Sequence, residues 1–271
     1  MIPQHTDLIE PFEYRQGQSP LLVSMPHSGL ALTSQVSESM TDMAKSLPDT
    51  DWYLPELYSF LSDYDVTQVT ANYSRYVIDL NRPLDDRPLY QSKTTGLFPN
   101  ILFNGADVFQ PNKEPDQNHK LWCKQHIWKP YHAKLAAELK RLKDKFGFVI
   151  LFDAHSIAPQ VPMLFDGVLP DFNFGNNDGK ASSNELVAAV AGIVQNTPYS
   201  KICNGRFKGG YITRSLGSPE LGIHAVQLEL SQATYLREVP GVFQLDSAKL
   251  NDVQNVLRQI IEVLIAQKRV T

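Results

Sequence analysis

An α/β fold is what this sequence predicts: one domain over residues 1–271, built on a mixed, mostly parallel β-sheet with helices on both faces. Three observations point there. Apolar runs of five or six residues alternate with stretches of helical period, the order expected when strands are followed by covering helices. The length of 271 residues suits one large α/β domain, and 42% apolar with 20% charged residues is the composition of an ordinary globular chain. No Gly/Ser-rich or charged tract divides the chain, and no internal repeat is visible.

Strands are expected at residues 21–25, 66–70, 76–80, 148–152 and 225–230, all runs of Leu, Val, Ile, Phe or Tyr bounded by turn-forming residues. A helix is expected over residues 51–61, with Leu54, Leu57 and Leu61 on one side, and another over 134–143, with Leu135, Leu139 and Leu142. Ser182 followed by Glu185 is a capping-box pattern, which starts a helix carrying Leu186, Val190, Ile193 and Val194; Pro198 ends it. Leu250, Val253, Leu257, Ile260 and Leu264 predict a closing C-terminal helix. Residues 85–116 and 159–180 show no sustained period, and loops this long are uncommon unless functional.

Charge excludes some partners. Lys and Arg number 25 against 29 Asp and Glu, a net charge of -4, so no broad positive field exists to neutralise nucleic acid or an anionic membrane. The basic residues from Lys134 to Lys145 are spaced as the solvated face of a helix. The two cysteines, Cys123 and Cys203, have no paired spacing and suggest neither a disulfide framework nor a cysteine-rich metal site. The first residues lack a basic-then-apolar leader, and no run of 18 apolar residues occurs, so a cytoplasmic protein is expected. A small-molecule ligand remains, bound by a monomer or small homo-oligomer.

Of seven histidines, His27 and His155 share a setting: each follows an apolar strand-like run within a few residues. Open α/β sheets collect ligands beyond the carboxyl ends of their strands, and two imidazoles there could share a metal. Catalytic zinc usually takes a third protein ligand, for which Asp51, Asp49 and Glu56 are the candidates, although an Asp at a helix start is ordinarily a cap. His5, His119, His126, His132 and His224 read as structural. Glu229 interrupts an apolar strand; it either faces solvent or serves as a general base, because burying an unpaired carboxylate is costly. Arg75, Arg82 and Arg214 offer planar forks for a carboxylate or form ordinary surface pairs.

In order along the chain stand Met25-Pro26-His27-Ser28-Gly29, Asp49-Thr50-Asp51-Trp52-Tyr53, Ser74-Arg75-Tyr76-Val77-Ile78-Asp79-Leu80-Asn81-Arg82-Pro83 and Asp153-Ala154-His155-Ser156. Phe207 to Arg214 and Gly222 to Glu229 follow. Together these segments resemble the N-formylglutamate amidohydrolase family. The resemblance implies a fold similar to the zinc carboxypeptidases and one zinc held by His27, an acidic residue and His155. Zinc carboxypeptidases and aspartoacylases take their acidic ligand three residues after the first His, where this chain has Leu30; the motif match therefore favours Asp51. The Asp79 to Arg82 string is similar to the aspartoacylase motif whose Asn-Arg pair binds substrate carboxylate. It implies Asn81 and Arg82 as substrate contacts, with Arg214 as a second anchor and Glu229 as general base, while Arg75 receives no role. The activity implied is hydrolysis of N-formyl-L-glutamate. A related N-acyl amino acid hydrolase and a non-catalytic dicarboxylate-binding protein are the rival readings.

Overall fold

The computed structural model describes residues 9–88, 94–239, 241 and 243–267. Seven strands form one sheet: β1 (Phe12–Arg15), β2 (Leu21–Met25), β3 (Thr67–Ala71), β4 (Val149–Ile157), β5 (Phe172–Gly175), β6 (Lys201–Cys203) and β7 (Ile223–Ser231). Their spatial order is β1-β3-β2-β4-β7-β5-β6. Pairing is parallel except where β1 meets β3 and β5 meets β7. The expected mixed, mostly parallel sheet is therefore what forms.

Period-two alternation in the central strands feeds two cores. Leu21, Val23 and Met25 of β2, with Phe152 of β4 and Val226, Leu228 and Leu230 of β7, face one core. That core is covered by α2 (Leu54–Leu57), α5 (Asn184–Val194) and α7 (Ser247–Ala266). Leu22, Val149, Leu151 and Ala225 point the other way, toward α1 (Ser34–Ser39), α3 (Gln117–Cys123), α4 (Lys129–Phe146) and α6 (Tyr211–Leu216). Strands buried on both faces need continuous apolar runs, which is why β2 and the start of β4 were legible.

Four expectations need correction. Residues 76–80 are buried but form turns, because Ser74 Oγ accepts from Tyr76 N–H and Asp79 Oδ1 accepts from Asn81 N–H, offering the backbone partners that a strand ladder would otherwise supply. The helix expected over 51–61 reduces to α2 followed by a 3-10 turn, Ser59–Asp63; Tyr53 sits at φ 56°, left-handed, just before Pro55 in the first turn. The α5 cap is Ser183 rather than Ser182: Ser183 Oγ accepts from Leu186 N–H, while Ser182 is fully buried. The second long loop hides a strand, β5, inside 159–180; residues 89–93 of the other loop, and His5, lie outside the described residues.

Between α3 and α4 the chain makes a π turn, Lys124–Trp128. Pro130 has no N–H to give the carbonyl four residues before it, so the ladder loosens there. Trp128 and His132, four residues apart, stack at 3.7 Å between ring centroids. Trp128 Nε1 donates to the Arg82 carbonyl at 2.9 Å and His132 Nε2 to the Leu80 carbonyl at 2.8 Å. The turn thus grips the backbone on either side of Asn81.

Candidate active site

At the carboxyl ends of β2, β4 and β7 the face that lies toward α4 changes from apolar to polar. Leu22 is succeeded by Ser24, Leu151 by Asp153 and His155, and Ala225 by Gln227 and Glu229. The register aligns them: Ser24 pairs with Asp153, Asp153 with Gln227, and His155 with Glu229. All are buried. His27 stands just beyond β2, and Asp51 is drawn in by its backbone N–H, which donates to the His27 carbonyl at 3.1 Å. Asp51 precedes α2 by three residues and caps nothing, since α2 has no side-chain cap.

His27, Asp51 and His155 each offer a ligand atom, and these atoms lie within 4.8 Å of one another. The donor set fits a divalent cation such as zinc, which favours imidazole and carboxylate. The fit extends outward, because each imidazole uses one ring nitrogen on a second carboxylate. His27 Nε2 is 2.6 Å from Asp79 Oδ1, and His155 Nε2 is 3.2 Å from Asp153 Oδ2. His155 Nδ1 is 3.1 Å from Asp51 Oδ2. Of the other acidic candidates, Asp49 accepts from Phe103 N–H outside this cluster and Glu56 is exposed on α2.

Burial and charge set the electrostatics. Burial pushes the His27 pKa down and nearby Arg75 adds to this, against Asp79, so its imidazole stays neutral. Burial opposes ionisation of Asp79, yet His27, Arg82 and Arg75 together hold it well below the usual carboxylate range. Burial likewise opposes a charge on His155, but Asp153 and Asp51 overcome it and raise the pKa well above normal. Glu229 is pushed up to about 8, first by burial, with His155 opposing and Asp51 reinforcing. A carboxyl held near neutrality can both take and return a proton.

These groups open into one cavity walled by Arg75, Arg82, Arg206, Phe103, Ile157, Leu164 and Phe207, with Asn81 and Gln227 at its floor. Asn81 is locked: Oδ1 accepts from Ile212 N–H at 2.8 Å, and a Cβ on Gly210 would stand 2.2 Å from its Nδ2. Gly210 N–H in turn donates to Gln227 Oε1 at 2.7 Å. Gly209 adopts φ 113°, a region open to glycine, which explains the paired glycines of the motif.

The structure brings together six of the seven residues expected at the site: His27, Asp51, Asn81, Arg82, His155 and Glu229. Arg214 is not a wall of this cavity; its Nε donates to the Gly209 carbonyl at 2.7 Å. His132 and His224 do not line the cavity: His132 Nε2 donates to the Leu80 carbonyl and His224 Nδ1 accepts from Ser183 N–H. Sequence reading missed Asp153, Gln227 and Arg206. The first two were readable, since each precedes a predicted site residue by two on the same strand face. Arg206, in a loop, carried no such signal.

A sheet that ends its central strands in a buried His–Asp–His cluster beside a buried glutamate defines a class, the α/β enzymes that work at the carboxyl ends of their strands. Comparison with known proteins narrows this. The chain belongs to the N-formylglutamate amidohydrolase family, whose model matches residues 19–236. It is 48% identical over 255 residues to the N-formylglutamate deformylase of Pseudomonas putida, covering 93% of this chain and 95% of that one. It is 45% identical over 262 residues to the N-formylglutamate deformylase of Pseudomonas aeruginosa, covering 96% and 98%. A crystal structure of N-formylglutamate amidohydrolase from Ralstonia eutropha superposes with a TM-score of 0.79 at 21% identity, over 94% of this chain and 99% of that one. A gene product of Agrobacterium tumefaciens superposes at 0.72 with 15% identity, over 94% and 95%. At those identities the superpositions speak for the fold.

Proposed function

We propose that the protein is a zinc-dependent amidohydrolase of the cytoplasm that converts N-formyl-L-glutamate to formate and L-glutamate, a step of histidine degradation. The observation that carries this reading is the His27, Asp51 and His155 cluster facing Glu229 inside an arginine-walled cavity. The similarity to the two Pseudomonas deformylases along nearly the whole chain supports the choice of substrate.

His27, Asp51 and His155 would hold the zinc, and the ion would supply Lewis acidity toward the amide carbonyl and ease ionisation of a water. Glu229 takes the proton from the attacking water as its oxygen adds to the formyl carbon. Glu229 then returns that proton to the amide nitrogen as the carbon–nitrogen bond breaks, releasing formate and the free amine. Burial raises the pKa of Glu229, which makes its ionised form a stronger base toward water and lets it carry that proton until the amine leaves. Asn81 and Arg82 receive a substrate carboxylate, and Arg75, which lines the same cavity, lies where a developing oxyanion can be stabilised.

The test is to measure metal content and glutamate release with and without a chelator. One zinc per chain, activity lost to the chelator and restored by zinc, is the expected outcome. Glu229→Gln should keep its zinc and lose turnover on the order of 10²- to 10⁴-fold. A metal-free protein that binds glutamate tightly without turning over formylglutamate would instead favour a binding protein.

A further inference from the structure

We propose that Arg206 receives the second carboxylate of the substrate and thereby sets the preference for an acidic amino acid, the position for which Arg214 was the expectation. The inference rests on the activity proposed above and deepens it.

Three arginines line the cavity, and their surroundings differ. Arg75 is matched inside the protein: Nη2 pairs with buried Asp79 at 2.8 Å and Nη1 donates to the Asp49 carbonyl at 3.2 Å. Arg82 donates to neutral acceptors, with Nε on the Thr95 carbonyl at 2.7 Å, Nη1 on the Asn81 carbonyl at 2.9 Å and Nη2 on Thr94 Oγ1 at 3.0 Å. It lines the cavity, and among the described residues no carboxylate hydrogen-bonds to it, although its charge helps to hold buried Asp79 ionised. Arg206 is likewise anchored through Nε. Its Nε donates to the neutral carbonyl of Leu164, and its guanidinium carbon lies 5.5 Å from the ring centroid of Phe207; both Leu164 and Phe207 are cavity walls.

A guanidinium tethered through Nε has its plane fixed before a ligand arrives, so less freedom is lost on binding. Arg82 follows β3 and Arg206 follows β6, so the two forks come from different parts of the chain onto one cavity. A glutamate skeleton carries two carboxylates, and two separate forks satisfy both bidentately. Arg214, on α6, donates through Nε to the Gly209 carbonyl and stands outside the cavity wall.

The experiment is a cycle between protein and substrate. Wild type, Arg206→Met and Arg214→Met are assayed on N-formylglutamate and on its two monoamides, N-formylglutamine and the α-amide, each of which removes one carboxylate. Arg206→Met should lower kcat/KM on N-formylglutamate roughly 10²-fold, mostly through KM. On one of the two monoamides its loss should shrink to less than about 3-fold, since that carboxylate is already gone. Arg206→Lys should recover part of the activity, and circular dichroism should report native folding for each variant. Arg214→Met should behave as wild type. Equal losses by Arg206→Met on all three substrates, or a collapse in Arg214→Met with Arg206→Met unaffected, overturns the assignment while leaving the activity in place. Wild type inert on all three substrates overturns the proposed activity and this assignment together.

Discussion

Asp79 is fully buried and serves three partners at once: His27 through Oδ1, Arg75 through Oδ2 and the Asn81 N–H through Oδ1. It fixes the His27 ring through Nε2, with the ring centroid 4.9 Å from that of His155. Asp79→Asn preserves shape and removes the charge that fixes the His27 tautomer. The expected result is a fall in zinc affinity on the order of 10- to 100-fold, read by competition with a chromogenic chelator. Unchanged affinity would sink this role. Much of the residue scale was legible before the fold: His27 and His155 stood out by their position after apolar runs, and Glu229 by interrupting one. Arg206 was silent, because a loop arginine acquires meaning only when a distant segment, here Leu164, closes against it.

A helix that buries a regular stripe was readable, as α7 shows, and so was a strand buried on both faces, as the continuous apolar run of β2 shows. Edge strands β1 and β6 were not; they are too short to show a period and are largely exposed. Residues 76–80 misled for the opposite reason: they are apolar and buried, yet their backbone is satisfied by side chains rather than a ladder. At the head of α4 the π turn has a measurable signature. Burial pushes the His132 pKa down to about 4, although the Leu80 carbonyl and Asp153 favour its charged form. The unfolded chain protonates this imidazole near 6.5, so the unfolded state binds more protons between the two values. The stability contributed above pH 6.5 is therefore lost as pH falls through 4, by about 3 kcal/mol in all. His132→Gln can still donate to the Leu80 carbonyl and lacks the titration. In urea unfolding, the stability gap between wild type and His132→Gln should narrow in the acid limb; a gap independent of pH would contradict it.

At the scale of the molecule, one seven-stranded sheet separates two apolar cores that share β2, β4 and β7. We expect both cores to melt together. Leu257, fully buried in α7, belongs to one core, while two of the three tryptophans, Trp122 and Trp128, pack in or against the other and Trp52 packs against both. Leu257→Ala should cost about 2–5 kcal/mol. Tryptophan fluorescence and far-UV circular dichroism should then shift to the same lower midpoint, as a two-state domain requires. A fluorescence midpoint left at the wild-type value would mean that the two cores unfold separately.

The register of β4 against β7 sets His155 opposite Glu229, and both strands, like β2, have neighbours on either side. His155 and Glu229 are thus rungs of the sheet and His27 stands just beyond β2, whereas Arg82, Phe103, Leu164, Arg206 and Phe207, which shape the space for the substrate, are carried by connecting segments. Such a division is a natural chassis for diversification. Exchanging the stretch 159–171 or 201–210 between relatives would alter what enters the cavity, while proton transfer stays fixed by the ladder. A designer seeking a new acyl amino acid specificity would randomise those walls and leave the rungs untouched.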